Sequence, residues 1–213
     1  MSGHKIIAMV RRLKTWVINI PWVWNTFQNL VGADQWKSRI YPSVLRTKGK
    51  LLDFGCSMGN TTASFLDFDY WGVDLDPDAI AAAKKRWHGH ENVRFECVDI
   101  LKGEYKKDFF DHVLFAGTGH HIEDADMPKI IDALLATLRP GGELHFIDVL
   151  RQPGKDRFIT RLVMNNDQGK NMRTKEQYRE MFAPYNVVEE KMFESPDRLI
   201  KLQDMLYFRI AKV

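Results

Sequence analysis

The sequence predicts an α/β fold on a mainly parallel sheet of seven strands, and two patterns carry that prediction. From Lys50 onward, short apolar runs alternate with stretches of helical periodicity, the signature of strand–helix–strand units. The last two strands are joined only by Glu194 to Leu202, a link that carries Pro196. A parallel crossover takes a dozen residues or more, so this short link predicts an antiparallel final strand.

The strands read in order as Leu51 to Phe54, Tyr70 to Leu75, Val93 to Val98, His112 to Ala116, Glu143 to Val149, Val187 to Met192 and Met205 to Lys212. The first runs into a glycine turn, Gly55 to Gly59, that opens a helix at Asn60 to Leu66. Asp76-Pro77 supplies an N-cap and a first-turn proline for the next helix, and Asp126 precedes Pro128 in the same way. Ile130, Ile131, Leu134, Leu135 and Leu138 then recur at helical spacing, a stripe expected to lie on the sheet. Pro140-Gly141-Gly142 ends that helix and turns into a strand. Thr174 with Gln177 forms a capping box for the last helix.

Composition sets the class of molecule. A chain of 213 residues with 45% hydrophobic and 28% charged residues buries enough surface to fold without staples. Two cysteines, Cys56 and Cys97, make no disulfide framework. The first residues lack the features of a signal peptide, and the apolar neighbourhood Ile6 to Val31 is broken by charges and Pro21. A cytoplasmic protein with no transmembrane helix is expected.

The chemistry centres on the first two strand ends. Glycine at 55 and 59 lets the backbone turn sharply and lets a ligand approach the main chain. Asp74 follows Gly55 by nineteen residues and ends the second strand, where a carboxylate can accept both hydroxyls of a ribose. A nucleoside-containing ligand is the direct inference. Ser57 stands where a dinucleotide fingerprint has its middle glycine, and Asp53 precedes the turn. A carboxylate there repels a pyrophosphate and suits a cationic amino-acid portion.

With these residues the sequence resembles the class I S-adenosylmethionine-dependent methyltransferases over most of Lys50 to Val213. The matching segments are Leu52 to Gly59, Gly72 to Pro77, Cys97 to Ile100, Phe110 to Phe115 and Leu138 to Leu144, in that order. His120-His121-Ile122-Glu123-Asp124 is similar to a stretch common in quinone-biosynthesis methyltransferases. The resemblance implies a Rossmann-like seven-stranded sheet with an antiparallel last strand and helices on both faces. It implies S-adenosylmethionine as cofactor, with Asp53, Gly55, Cys56, Ser57 and Gly59 around its methionine part, Asp74 at the ribose and Leu75 on the adenine face. By the same resemblance Asp99 accepts the adenine amino group, Ile100 packs on the ring, and Ala116 and Gly117 border the transferred methyl. If the acceptor is a hydroxyl, His120 or His121 has the pKa of a neutral-pH base; an amine or activated carbon acceptor needs neither. Zinc is not expected there, because neighbouring histidines point apart and no chelating spacing occurs.

Residues 1–49 differ from the rest. Met1 to Lys50 holds nine Lys and Arg against the single acid Asp34, a net of +8 that leaves −5 for the remainder, and four of the six tryptophans. We read residues 1–49 as a basic, Trp-rich helical cap or appendage on a methyltransferase domain at 50–213. It suits a lid over the site mouth, or peripheral contact with an anionic membrane. Nucleic acid is disfavoured, since Phe115-Ala116-Gly117-Thr118 lacks the Asn/Asp-Pro-Pro-Tyr/Phe motif familiar in methyltransferases acting on base amino groups. The polar stretch Arg151 to Arg173 is long for a loop and is expected, with the cap, to shape the acceptor pocket.

The expected activity is methyl transfer to a small acceptor, lipophilic molecules included. Its rivals are a protein or RNA methyltransferase, a non-catalytic nucleoside-binding module and a nicotinamide-dependent oxidoreductase. These motifs set neither the acceptor atom nor an oligomeric state.

Overall fold

The computed structural model describes residues 33–154, 171–195 and 204–213. Trp16, Trp22, Trp24, most of the polar stretch after Arg151, and Pro196 lie outside them. The described elements are α1 (Ala33–Ser43), β1 (Lys50–Phe54), a 3-10 turn (Thr62–Phe65), β2 (Asp69–Asp74), α2 (Pro77–Arg86), β3 (Val93–Cys97) and β4 (Phe110–Ala116). A second 3-10 turn (Gly119–His121), α3 (Met127–Thr137), β5 (Leu138–Val149), α4 (Lys175–Phe182), β6 (Val187–Phe193) and β7 (Met205–Ala211) complete them.

All seven strands join one sheet in the order β3-β2-β1-β4-β5-β7-β6. β1 pairs in parallel with both β2 and β4, and β7 runs antiparallel to β5 and β6, as the short final link requires. The strand order reverses between β1 and β4. In such sheets the crevice at the carboxyl ends of the strands flanking the switch point receives the ligand.

Strand alternation divides the core in two. Leu52, Phe54, Val113, Phe115, Leu144 and Phe146 meet Ile130, Ile131 and Leu134 of α3 and Tyr178 and Phe182 of α4. Leu51, Leu114, Ile147 and Tyr207 point the other way, toward Ile40 and Tyr41 of α1 and Ile80 and Ala83 of α2. Helices therefore cover both faces. Each fully buried Leu or Phe contributes roughly 1.5–3 kcal/mol, so the two clusters fix which way every strand residue points. Ile40, Tyr41, Val44 and Leu45 lie in the same cluster as Leu51, so the segment before β1 packs as part of this core.

Local chemistry explains the ends. Asp76 Oδ1 accepts the amides of Asp78 and Ala79 and caps α2, and both arms of the Thr174–Gln177 capping box are formed on α4. Three expectations change. Asn60 to Leu66 does not form an α-helix: a 3-10 turn stands there, because Thr61, Thr62 and Ser64 favour local turns, no side chain caps it, and Phe65 is drawn into the core. Asp126 does not cap α3; its carboxylate accepts Lys129 Nζ instead. Pro140-Gly141-Gly142 lies within β5, where the register against β4 shifts between Phe110 and His112. Among the described residues no helix is long and apolar enough to cross a membrane.

Candidate active site

At the carboxyl end of β1 the chain turns through three left-handed residues, Gly55 (φ 77°), Ser57 (φ 49°) and Gly59 (φ 68°). The Gly55 and Cys56 amides donate to Val73 O, which docks the turn on the end of β2. A Cβ on Gly55 would lie 2.4 Å from Thr118 Oγ1, so glycine is required there for packing as well as for backbone conformation. Trp87 Nε1 donates to Gly59 O and closes the far side of the loop.

The two acids of this corner sit differently. Asp74 receives the Ser57 amide on Oδ2 at 2.8 Å and the Asp76 amide on Oδ1 at 3.0 Å, at the open end of β2. Asp53 is only 4% exposed and accepts the Tyr70 hydroxyl at 2.6 Å. Burial pushes its carboxyl up to about 6, with the Asp74 charge adding to burial and the Tyr70 hydrogen bond opposing it. Burial, then the Asp53 and Asp74 charges, push the Cys56 thiol far up, so it stays protonated and fills space beside Gly72.

Leu75 is 65% exposed, an apolar side chain at the rim of the crevice, and its carbonyl accepts Cys97 Sγ. Asp99 accepts the Leu101 amide and pairs with Lys102, which hold its carboxyl below the ordinary range. Ile100 is buried in the core beneath it.

The end of β4 supplies the third wall. The Gly117 amide donates to Ile147 O, and Gly117 takes φ 64° against the Tyr41 side chain of α1. The second 3-10 turn brings the two histidine rings to 4.2 Å, tilted by 41°, where neighbouring side chains were expected to point apart, yet it buries only one of them. His121 is exposed, whereas His120 is buried with Nδ1 2.6 Å from Asp148 Oδ1. The carboxylate can only accept, so Nδ1 carries the proton and Nε2 is the basic nitrogen. Asp148 is fully buried, its Oδ1 also taking the Val149 amide, and it helps burial push the Tyr178 phenol well above its usual range.

Arg173 locks this turn. It is 3% exposed and donates to Gly119 O, Ile122 O and Asp124 Oδ1. Sequence reasoning assigned no role to Arg173, Thr118 or Tyr178, and no local pattern marks them. Asp148 lies within the predicted strand Glu143 to Val149, and nothing local pairs it with His120.

Residues 51–142 match the family model described as a methyltransferase domain, and they carry the glycine turn, Asp74, Asp99 and the β4 end. That match spans a little under half of the chain, and it is to a methyltransferase domain. Over 131 residues it is 33% identical to phosphoethanolamine N-methyltransferase 3 of Arabidopsis thaliana, covering 60% of this chain and 26% of that protein. Over 80 residues it is 32% identical to carboxy-S-adenosyl-L-methionine synthase of Helicobacter pylori (strain P12), covering 35% of this chain and 32% of that protein. The chain thus spans about a quarter to a third of the length of these curated relatives. In fold it matches the PH0226 protein of Pyrococcus horikoshii OT3, with TM-score 0.67 and 18% identity over 87% of this chain and 92% of that one. It also matches geranyl diphosphate C-methyltransferase of Streptomyces coelicolor A3(2), solved with S-adenosyl-L-homocysteine. The TM-score is 0.65, with 14% identity over 84% of this chain and 77% of that one.

The corner fits S-adenosylmethionine, the cofactor that the resemblance implies. Three positive-φ residues leave the main chain open, Asp53 and Asp74 make the corner anionic, and Leu75 offers an exposed apolar face. An anionic corner receives a sulfonium and an ammonium and rejects a pyrophosphate.

Proposed function

We propose that this chain transfers a methyl group from S-adenosylmethionine to a small molecule bearing an amine or hydroxyl, with His120 as the general base; an amine arrives as an ammonium at neutral pH and must lose its proton as a hydroxyl does. The observation that carries it is the buried His120–Asp148 pair at the ends of β4 and β5, beside the glycine turns of the cofactor corner. Asp53 and the 55–59 turn hold the methionine portion, Asp74 the ribose, Leu75 and Ile100 the adenine, and Asp99 its amino group. Ala116 and Gly117 border the methyl.

Bound there, the cofactor supplies an electrophilic methyl on a sulfonium. The protein's share is to hold the acceptor atom about 3 Å from that carbon, in line with the sulfur. His120 Nε2 takes the acceptor proton, and Asp148 holds the ring and stabilises the imidazolium that results. A buried base excludes water from the same spot.

One of the two curated relatives is named for phosphoethanolamine, which supports an amine among the first acceptors to test. Residues 1–49 we read as a cap over the acceptor side, with peripheral membrane contact as a second use, in a protein working in the cytoplasm. The test is transfer of labelled methyl from S-adenosylmethionine to a panel of small amines and alcohols, phosphoethanolamine included, beside RNA and protein extracts. Label on a small acceptor, lost in His120→Gln with cofactor binding kept, supports the reading. Label only on protein or RNA, or cofactor binding without turnover on any acceptor, refutes it.

A further inference from the structure

Strand register gathers a second group of chemistry-bearing side chains away from the cofactor corner. His112 stands early in β4, opposite Glu143 of β5, and His145 follows Glu143 by two residues on the same face. That face is the one covered by α1 and α2. His112 Nδ1 lies 3.2 Å from His145 Nε2, and Glu143 Oε2 lies 3.7 Å from the same nitrogen. The three groups keep one donor atom each within 4.8 Å of the others.

The remaining atom of every group is anchored. His112 Nε2 is 2.9 Å from Thr47 Oγ1, His145 Nδ1 is 3.0 Å from the Tyr207 hydroxyl, and Glu143 Oε1 pairs with Arg209. Outer partners of this kind fix the tautomer and orientation of metal ligands. A tetrahedral ion at ordinary zinc–nitrogen and zinc–oxygen distances sets its donor atoms about 3.3 Å apart. The two imidazoles already stand at that spacing, and the carboxylate, 3.7 Å from His145 Nε2 and within 4.8 Å of both nitrogens, closes on them when the ion binds. Nothing in methyl transfer uses these residues.

We propose that His112, His145 and Glu143 form a site for a divalent transition-metal ion of the zinc class, with a fourth position for water. Two imidazoles and one carboxylate suit zinc or cobalt, whereas calcium and magnesium take oxygen donors. One proton lies between the inner nitrogens of the neutral pair; when the ion binds, the ring that carries it takes its other tautomer, the proton moves to its outer nitrogen, where Thr47 Oγ1 or the Tyr207 hydroxyl accepts it, and both imidazoles stay neutral. Around the site Arg46 and Arg209 face Glu143 and Glu189, a balanced set, so the charge of the ion is only partly compensated. A bound ion ties β4 to β5, the two strands whose other ends carry His120 and Asp148.

The test is titration of the metal-free full chain with Co²⁺, followed by Zn²⁺. The expected result is visible d–d absorption of a tetrahedral centre, saturating at one ion per chain and displaced by Zn²⁺. Zn²⁺ should also raise the Tm. Both responses should vanish in His112→Gln and His145→Gln while S-adenosylmethionine binding persists. Glu143→Gln, whose side chain reaches the solvent edge, should weaken the Co²⁺ response at least tenfold and carries the test if a histidine variant fails to fold. Absence of the bands in the wild type overturns the proposal. So does Co²⁺ binding that survives in the variants, which would put the ion on other histidines such as His88 and His90.

Discussion

Asp74 Oδ2 accepts the Ser57 amide at 2.8 Å, so the carboxylate that ends β2 also holds the non-glycine residue of the left-handed turn in place. Ser57 at φ 49° stands where only glycine rests without cost. The left-handed conformation costs an L-residue roughly 1–2 kcal/mol, and glycine gives back roughly 0.5–1 kcal/mol in unfolded-state entropy. Ser57→Gly should therefore stabilise the protein by about 0.5–1 kcal/mol in urea denaturation, with the Asp74 bond and cofactor affinity kept. Ser57→Val should destabilise it.

Gly55 tests the other half of the turn. Alanine there meets Thr118 Oγ1 at 2.4 Å and Cγ2 at 2.6 Å and also inherits φ 77°. Gly55→Ala should cost about 2 kcal/mol or more and abolish cofactor binding. Thr118→Gly removes the clash but not the backbone strain. The double variant should recover part of the loss, and the coupling between the two is read from a double-mutant cycle.

These two residues also show what the sequence carries and what it does not. The Gly55 turn, the Asp74 position and all seven strands were legible because each is a local pattern. A strand, a sharp turn and an acid at a strand end leave their marks within a few residues. The Asn60 to Leu66 segment misled because a glycine turn at the start of a βα unit usually opens a helix, while its Thr and Ser content favours a tight turn. His120 with Asp148, and His112 with His145, are separated by 28 and 33 residues. Only sheet register brings such pairs together, and register follows from the whole pattern of burial. Arg173 reaches the 119–124 turn across some fifty positions with no repeat to announce it.

Asp53 gives a pH dependence whose sign is fixed. Burial raises its carboxyl to about 6 in the fold, against 3.8 for an unperturbed aspartate. The native state therefore holds the proton more tightly than the unfolded chain. Stability from this group is complete below pH 4 and is lost as pH rises through about 6, a cost on the order of 3 kcal/mol at neutral pH. Asp53→Asn should remove that cost, so the variant is more stable than the wild type at pH 8 and no more stable at pH 4. If Asp53 receives the cofactor ammonium, wild-type affinity for S-adenosylmethionine should rise between pH 5 and 7, and calorimetry on Asp53→Asn should show a flat profile.

Arg173 is buried with three acceptors waiting on it. Arg173→Met leaves Gly119 O and Ile122 O without their donor and Asp124 without its cation. A loss of about 3 kcal/mol is expected by urea denaturation. Arg173→Lys keeps the charge but reaches fewer acceptors and should fall between the two.

Asp148 acts on the reaction through His120, as a positioning residue, and the difference from a purely structural role is measurable. Asp148→Asn replaces the acceptor of the Nδ1 proton with an amide that can present a donor, and so favours the wrong tautomer. If His120 is the base, kcat should fall about 10²–10⁴-fold, with the Kd of S-adenosylmethionine unchanged. His120→Gln should lose a comparable amount, and the double variant little more, because the two residues work as one unit. A structural role predicts the opposite pattern: Tm and cofactor affinity drop together while kcat per folded molecule holds. Stopped-turnover assays and calorimetry on the same three variants separate the two outcomes.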